Sequence, residues 1–393
     1  MKEKIDFPLA HFSWGKEEIE AAKSVIDSGM TTMGNKVREF ESQFAAYFGA
    51  EYAVMVNSGS SANLLALAAL RYMADNPLQP GDEVIVPTLS WPTTFYPVNQ
   101  LGMKLVFVDI EQDTLNINAN LLEDALSEKT KAVFVPHILG NPADIKKIKA
   151  FCDIHHLYLI EDNCESMGAT VDNKYLGTFG ICGTFSTFFS HHMSTMEGGM
   201  VTTDNEEVYQ LLLSLRSHGW TRHLPENNLL CEKNNDPFYE SFRFILPGYN
   251  LRPLEISGAI GIEQLKRLDQ FIKIRQENAI LFKSLINHID GLSTQIEKYG
   301  VSSWFGFSLI VDPKLKSRTS IIADLSAAGV AVRPIVAGNF LRNDVLKHMN
   351  YRLVGSDQQV EHVHNNGFFI GNSQASLPDE LQAVAQLLHE VTV

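Results

Sequence analysis

The sequence predicts an α/β protein built on a mostly parallel sheet, because short apolar runs alternate with helical patterns over residues 16–255. The runs are rich in β-branched and aromatic residues, and a turn or a helical pattern follows each of them. This order favours parallel pairing with helices on both faces of the sheet. The predicted strands lie at 52–56, 82–87, 104–110, 131–138 and 157–163.

Two domains are predicted from the same pattern. Residues 1–255 are expected to form a large domain that includes the N-terminal segment, and residues 256–393 a smaller C-terminal α/β domain. A long helical pattern at 249–286 crosses from the first to the second. Strands predicted at 302–311 and 328–335 supply the sheet of the smaller domain.

Composition excludes several classes of function. The chain has 393 residues, 45% of them hydrophobic and 20% charged, as in ordinary globular proteins. Its net charge of −14 argues against nucleic-acid binding, which needs a basic face. No basic, apolar leader opens the chain and no window approaches the roughly 18 apolar residues of a membrane span. We therefore expect a cytoplasmic protein with neither nucleic-acid nor membrane partners.

The four cysteines predict no metal or cluster site. Cys152, Cys164, Cys182 and Cys231 form no C-x-x-C pair, so free thiols in a reducing compartment are expected. An iron–sulfur enzyme is disfavoured for the same reason, because its cluster needs closely grouped thiolates.

Chemistry in such sheets is expected where the strands end. The segment "NSGSSANL" follows a predicted strand and opens a helix, so Gly59 and Ser60 offer backbone N–H groups to an anion. "LIEDNCES" ends a hydrophobic strand in Asp162, a carboxylate that is costly to bury without a partner. Trp91 follows a third strand and is either a packed aromatic residue or a surface for a flat ligand.

The segment "FFSHHMSTMEGGMV" places two histidines, His191 and His192, before a pair of glycines. A metal site is improbable, because adjacent residues point in different directions and no carboxylate or cysteine stands three or four positions away. From the residues alone, a buried structural pair and a catalytic base remain open.

Taken together and in this order, these motifs resemble the DegT/DnrJ/EryC1/StrS aminotransferase family, over nearly the whole chain. The resemblance rests on Gly59-Ser60, Trp91, Asp162, Ser186, the "EGGM" segment and "GYNLRP". It implies a fold type I pyridoxal 5′-phosphate (PLP) protein, similar to aspartate aminotransferase, with the large domain as the cofactor-binding unit.

The resemblance also implies roles for individual residues. Asp162 would face the pyridine nitrogen, Trp91 would stack on the ring, and Gly59, Ser60 and Ser186 would hold the phosphate. Glu165 is also expected to bind the cofactor. Asn250 would reach the phosphate of a neighbouring subunit, which implies a homodimer with shared sites.

His191 departs from the family pattern. The family's Schiff-base lysine stands six residues before the glutamate of the E-G-G triplet, and counting back from Glu197 gives His191. No lysine lies between Lys174 and Lys233. The chain thus resembles a small subgroup in which histidine is the base, so PLP or its amine form (PMP) is expected to bind noncovalently. An imidazole with an ordinary pKa near 6.5 suits proton transfer at neutral pH. We assign no catalytic role to His192.

L-Glutamate and a keto-sugar are the expected substrates. Arg333 in "VAVRPI" and Arg252 in "YNLRPLE" are candidates for binding carboxylates or phosphates. The alternative for either residue, and above all for Arg252, is a structural ion pair. His218, Trp220 and Arg222 of "SHGWTR" are expected to line the sugar pocket.

Two reactions fit these motifs. We expect a glutamate-dependent sugar transaminase of lipopolysaccharide biosynthesis, with 8-oxo-3,8-dideoxyoctulosonate as a candidate substrate and its 8-amino sugar (Kdo8N) as the product. The alternative is 3-dehydration of GDP-4-keto-6-deoxymannose. A non-catalytic scaffold that has lost its lysine would have eroded cofactor motifs, whereas Gly59, Trp91, Asp162 and Ser186 are all present.

Overall fold

The computed structural model describes residues 5–314 and 317–392. The α-helices of these residues, numbered in chain order, are α1 (Lys16–Ser28), α2 (Asn35–Phe48), α3 (Gly59–Leu70), α4 (Pro92–Gln100), α5 (Leu122–Ala125), α6 (Ile145–His155), α7 (Glu206–Leu215), α8 (Pro237–Glu240), α9 (Glu255–Leu265), α10 (Leu268–Ile286), α11 (Arg318–Ala328), α12 (Gln358–Asn366) and α13 (Pro378–Thr392). None of them is long and apolar enough to cross a membrane, within those residues.

The β-strands, numbered in the same way, are β1 (Tyr52–Val56), β2 (Glu83–Pro87), β3 (Lys104–Val108), β4 (Thr130–Pro136), β5 (Tyr158–Asp162), β6 (Thr170–Val171), β7 (Lys174–Tyr175), β8 (Cys182–Ser186), β9 (Gly199–Thr203), β10 (Leu292–Ser293), β11 (Gly306–Val311), β12 (Val332–Arg333), β13 (Tyr351–Val354) and β14 (Gly367–Gly371). All five strands predicted in the first half of the chain are present, with ends that differ by at most two residues.

Eight strands form the large sheet, in the order β1-β9-β8-β5-β4-β2-β3-β13. Strand β9 runs antiparallel to both of its neighbours, β1 and β8. All the other pairs in this sheet are parallel. The predicted mostly parallel sheet is thus confirmed. The carboxyl ends of β1, β2, β4, β5 and β8 lie at one edge, which is where a ligand site is expected.

Both faces of this sheet are covered. Alternate side chains of β2 enter opposite cores: Val84 and Val86 pack with α3 and α4, while Ile85 packs with residues of α6 such as Ile148. Because side chains alternate across a strand, a strand covered on both faces must be apolar throughout. This explains the uninterrupted hydrophobic runs in the sequence.

The second sheet has four strands, in the order β10-β11-β14-β12, and its pairs are antiparallel. Phe307 and Phe368 of this sheet share a core with Phe282 of α10 and with Phe7 of the N-terminal segment. The predicted strands at 302–311 and 328–335 are shorter in the structure, where they become β11 and β12.

The chain beyond residue 255 contributes to both sheets, because β13 pairs in parallel with β3 at the edge of the large one. The long helical pattern predicted at 249–286 consists of two helices, α9 and α10, separated by Lys266 and Arg267. The division into domains at residue 255 stays a prediction.

Glu83 ties β13 to the large sheet. Its buried carboxylate accepts hydrogen bonds from Arg352 of β13 (2.7 Å to Nη2), Lys104 of β3 (3.0 Å) and Ser127 (2.8 Å). Burial by itself raises the pKa of Glu83, but the hydrogen bonds from these three residues outweigh burial and lower the pKa to about 2. The ionised form of Glu83 therefore stabilises the fold.

We predict that Glu83→Gln lowers the free energy of unfolding at pH 7 by about 2 kcal/mol, because it leaves Arg352 without its anionic partner. The folded pKa of about 2 lies below the ordinary value of 4.5. The stabilisation is therefore present above about pH 4.5 and is lost as the pH falls towards 2. Urea unfolding of wild type and variant at pH 7, 4 and 3 measures this difference.

The control is Glu39→Gln, which removes the partner of Lys36 in a pair whose side chains are 47% and 43% exposed. Its effect is expected to stay below about 0.5 kcal/mol at every pH. A Glu83→Gln difference that does not shrink in acid would contradict the account of this network.

Candidate active site

The turns after β1, β5 and β8 meet at the carboxyl edge of the large sheet. A Cβ atom added at Gly59 would stand 2.6 Å from the Cβ of Ser186 and 2.8 Å from the Sγ of Cys164. Any side chain at position 59 would therefore overlap its neighbours, which explains the glycine. Gly59 and Ser186, both predicted to hold a phosphate, are in direct contact.

Helix α3 points its N-terminus at this junction. Ser58 caps the helix by accepting a hydrogen bond from the Ser61 N–H (3.1 Å). The first N–H groups of a helix have no partner inside it and attract anions. Gly59 and Ser60 occupy the first two positions of a 12-residue helix, so the predicted cradle has the geometry it needs.

Asp162 is the last residue of β5, and its carboxylate is buried. One oxygen accepts hydrogen bonds from Asn63 Nδ2 and Thr94 Oγ1, each 2.8 Å away. The other accepts the Cys164 N–H at 3.1 Å. All three donors are neutral, and no lysine or arginine in the described parts of the chain lies within ion-pair distance. The carboxylate thus keeps its charge available for a cation that is not part of the protein.

Sequence reasoning missed Asn63 and Thr94. Asn63 is fully buried, and its Oδ1 accepts a hydrogen bond from Thr184 of β8 (2.5 Å) while its Nδ2 also donates to the Thr93 carbonyl (3.1 Å). It is an isolated polar side chain in the apolar run "SANLLALAAL", four residues after Gly59. A lone polar residue in an apolar run, four positions after Gly59, was the signal available in the sequence.

Trp91 stands at the N-terminus of α4, at the same edge of the sheet. Its side chain is 57% exposed, so it is not the packed core residue that Trp usually is. The next turn of the chain supplies Thr93 and Thr94, which contact Asn63 and Asp162. The exposed Trp91 ring thus stands at the start of the helix whose Thr94 donates to Asp162.

His191 lies in the loop between β8 and β9. Its ring packs against Phe305 (5.1 Å between centroids) and Phe188 (5.9 Å). The Nδ1 atom is buried and has no hydrogen-bond partner in the described residues. Burial, and then the positive charge of Arg275, lower the pKa of His191 to about 3. The expected ordinary pKa is thus not found, and the ring is uncharged at neutral pH.

His192 differs from His191 in its contacts. It is fully buried, and its Nε2 lies 3.1 Å from the Ser303 carbonyl. Both histidine rings pack near Phe305, but only that of His192 has a hydrogen-bond partner among the described residues. Among residues 5–314 and 317–392, no three His, Cys, Asp or Glu side chains are grouped as metal ligands would be.

Glu165 follows Asp162 in the same turn. Its Oε2 accepts the Leu139 N–H at 2.9 Å. Burial, together with the nearby negative charge of Asp162, raises the pKa of Glu165 to about 7, although the Leu139 hydrogen bond opposes this shift. Near neutral pH both the protonated and the ionised form of Glu165 are therefore populated. The first can donate a hydrogen bond, and both can accept one.

The segment with Asn250 and Arg252 lies beside the β1–α3 turn, because the Leu251 carbonyl accepts the Asn57 N–H (3.0 Å). Both side chains are exposed, and Arg252 Nε donates to Asn250 Oδ1 (3.0 Å). His218 is exposed on the adjacent segment, where Ser217 bridges to Asn250. These three predicted residues are thus brought together near the anion cradle.

Trp220 packs against a neighbouring loop of the protein. The indole N–H donates to the Ser241 carbonyl (2.9 Å), and the ring lies between Phe242 and Phe244. The exposed Arg222 places its guanidinium 4.9 Å from the Trp220 ring centre. The Trp220 ring is occupied by protein contacts, and its assignment to the sugar pocket stays a prediction.

Arg333 is exposed on the short strand β12 of the second sheet. Its Nη1 donates to the carbonyl of Val332 at 3.0 Å. Its role in binding an anion also stays a prediction.

Comparison with known proteins adds independent findings. The DegT/DnrJ/EryC1/StrS aminotransferase family matches residues 13–388. GDP-4-keto-6-deoxy-D-mannose 3-dehydratase of Yersinia pseudotuberculosis is 49% identical over 387 residues, which cover 98% of each chain. Two solved structures of GDP-4-keto-6-deoxymannose-3-dehydratase superpose with a TM-score of 0.95 at 49% identity, covering 98% of this chain and 100% of theirs. One holds a trapped PLP-glutamate geminal diamine, and the other is a His-to-Asn variant with bound GDP-perosamine.

Proposed function

Because the chain belongs to the DegT/DnrJ/EryC1/StrS aminotransferase family, we propose that it is a PLP- and PMP-dependent 3-dehydratase of GDP-4-keto-6-deoxymannose with L-glutamate as amino donor. The observation that carries this proposal is His191, an uncharged imidazole at the position of the family's lysine. The near-complete coverage by a 3-dehydratase at 49% identity supports the choice of reaction.

The residues at the strand ends fit the cofactor. The N-terminus of α3 suits a phosphate, and a Cβ at Gly59 would obstruct the junction beside it. The buried Asp162 carboxylate, which has only neutral donors, suits a protonated ring nitrogen. The exposed ring of Trp91 suits stacking on a flat heterocycle. When bound, the cofactor supplies an electron sink for the carbon from which a bond is broken.

The chain's own residues would perform the remaining tasks. His191 would take a proton at the carbon that bears the amine and return it, since its ring is uncharged at neutral pH. Phe188 and Phe305 pack against that ring. Asp162 would keep the ring nitrogen protonated, and Glu165 would offer a hydrogen bond beside it. No lysine is needed for any of these tasks, so the cofactor would stay noncovalently bound.

The relatives named above favour dehydration over transamination, the reaction we expected first. They give no support to 8-oxo-3,8-dideoxyoctulosonate as the substrate. Both reactions share the transfer of the amino group from glutamate, and they differ in what happens to the sugar. In dehydration the sugar loses its C3 oxygen and the amine leaves as ammonia. We retain lipopolysaccharide biosynthesis and a cytoplasmic location as parts of the proposal.

We predict that the enzyme, PLP, L-glutamate and GDP-4-keto-6-deoxymannose yield a nucleotide sugar lighter by one oxygen atom, together with ammonia and 2-oxoglutarate. Mass spectrometry of the sugar and an ammonia assay measure both products. A product that carries nitrogen in place of the ketone oxygen would show a transaminase instead. A parallel incubation with 8-oxo-3,8-dideoxyoctulosonate is expected to leave that sugar unchanged.

His191→Asn is the control for this reaction. It keeps a polar side chain of similar size but removes the base, so turnover is expected to fall by about 10²- to 10⁴-fold while PLP remains bound. Borohydride treatment of the wild-type enzyme is expected to leave the mass of the chain unchanged. A covalent adduct on any lysine would overturn noncovalent binding.

We further propose a homodimer in which Asn250 reaches the partner's cofactor. Asn250 is exposed, and the segments on either side of it expose large apolar side chains, among them Phe242, Phe244 and Leu254. An exposed apolar patch next to a site is typical of a protein interface.

If Asn250 acts across the interface, Asn250→Ala and His191→Asn chains should each be inactive alone but regain partial activity when refolded together. One site of such a mixed dimer carries neither substitution. A mixture as inactive as its components would contradict a shared site, and sedimentation of the wild type as a monomer would exclude the dimer itself.

A further inference from the structure

Arg275 of α10 carries a fully buried guanidinium. It donates to the Phe305 carbonyl (3.1 Å) and, at 3.5 Å, to the Trp304 carbonyl and to Gln374 Oε1. All these acceptors are neutral, and none of the described carboxylates lies within ion-pair distance of it. Burial lowers the pKa of Arg275 to about 10, which still leaves it charged at neutral pH.

A buried cation without an anionic partner is costly. The function of the charge must therefore be sought among the groups around it. The charge of Arg275 adds to burial in lowering the pKa of both histidines of the β8–β9 loop, His191 and His192.

Arg275 also holds the segment that packs on His191. The carbonyl groups of Trp304 and Phe305 accept its hydrogen bonds, and the Phe305 ring contacts the His191 ring. Asn372 Nδ2 adds hydrogen bonds to the carbonyls of Arg275 (3.0 Å) and Trp304 (2.9 Å). Trp304 is fixed in the left-handed region (φ 50°) by this network. The guanidinium thus helps to hold Phe305, whose own N–H also donates to the Leu139 carbonyl (3.0 Å).

Two carboxyl groups lie at the carboxyl edge of the sheet, where the loop of His191 begins. Asp162 and Glu165 lie at the end of β5, and His192 adjoins His191 in the chain. A phosphate in the α3 cradle would add further negative charge. Negative charges favour a protonated imidazole, and a protonated His191 cannot act as a base. The positive charge of Arg275 has the opposite effect, because it disfavours protonation of His191.

We propose that Arg275 is a positioning residue for His191: its hydrogen bonds to the backbone carbonyl groups of Trp304 and Phe305 hold the Phe305 ring against the imidazole. Its positive charge adds to burial in opposing protonation of that ring. The proposal rests on the proposed function only in taking His191 as the base. It assigns to Arg275 an electrostatic role that a purely structural residue would not have.

The test uses three variants of the cofactor-loaded enzyme. Arg275→Met removes the charge, and Arg275→Lys retains it but lacks the second nitrogen, which donates to Gln374. Gln374→Glu leaves Arg275 in place and sets a carboxylate beside it. Lys273→Met removes a positive charge from an exposed position on the same helix and serves as the control. For each, the titration of His191 is followed by NMR of labelled histidine, assigned with His191→Asn, and the pH dependence of turnover is measured.

We expect the His191 titration and the acid limb of turnover to move to higher pH by roughly one unit in Arg275→Met and in Gln374→Glu. Arg275→Lys should leave the titration in place and lower turnover, and Lys273→Met should change neither. If Arg275→Met does not fold, Gln374→Glu still decides. A His191 titration that is the same in Gln374→Glu as in wild type overturns the proposal.

The two proposals fail in different ways. Formation of an amino sugar would overturn the 3-dehydratase but leave the His191 titration, and hence the role of Arg275, untouched. An unchanged titration together with normal dehydration would overturn the role of Arg275 alone.

Discussion

The buried carboxylate of Asp162, held by three neutral donors and no cation, fixes the arrangement of the strand ends. Its donors come from α3 (Asn63), from α4 (Thr94) and from the turn after β5 (Cys164). Asp162 thus links the helix that carries the Gly59-Ser60 cradle to the helix that begins after Trp91. The large sheet contributes the rigid frame, and the carboxylate determines what can bind at its edge.

His191 stands in the opposite kind of environment. Asp162 is surrounded by hydrogen-bond donors, whereas the His191 ring lies between two phenylalanines, with an unpaired nitrogen and a cation behind it. In the proposed function these contrasting surroundings give the two groups different roles: Asp162 binds a cationic ring, and His191 accepts a proton. The proposed function rests on this histidine, whose surroundings oppose protonation of the imidazole.

Much of the large sheet was predictable, because strands buried on both faces are continuous apolar runs. Strands β8 and β9 were missed, since "CGTFS" and "GMVTT" mix small and polar residues that are buried only through tertiary contacts. Strand β13 was missed for another reason: Arg352 reaches back across the chain to Glu83, and no local pattern reports such a pairing. Asp162 and His191 could be singled out from sequence motifs. Asn63 and Arg275 could not, because their contacts with Asp162 and Phe305 are formed only in the folded chain.

The ¹⁵N chemical shift of PLP labelled at its ring nitrogen, bound to the wild-type enzyme, reports directly whether Asp162 faces a cation. We expect the shift of a protonated pyridine across the neutral pH range, and the shift of an unprotonated one in Asp162→Asn, which keeps the shape of the side chain but not its charge. The same shift in both proteins would show that the carboxylate does not hold the ring nitrogen, and would contradict the organisation of the site described above.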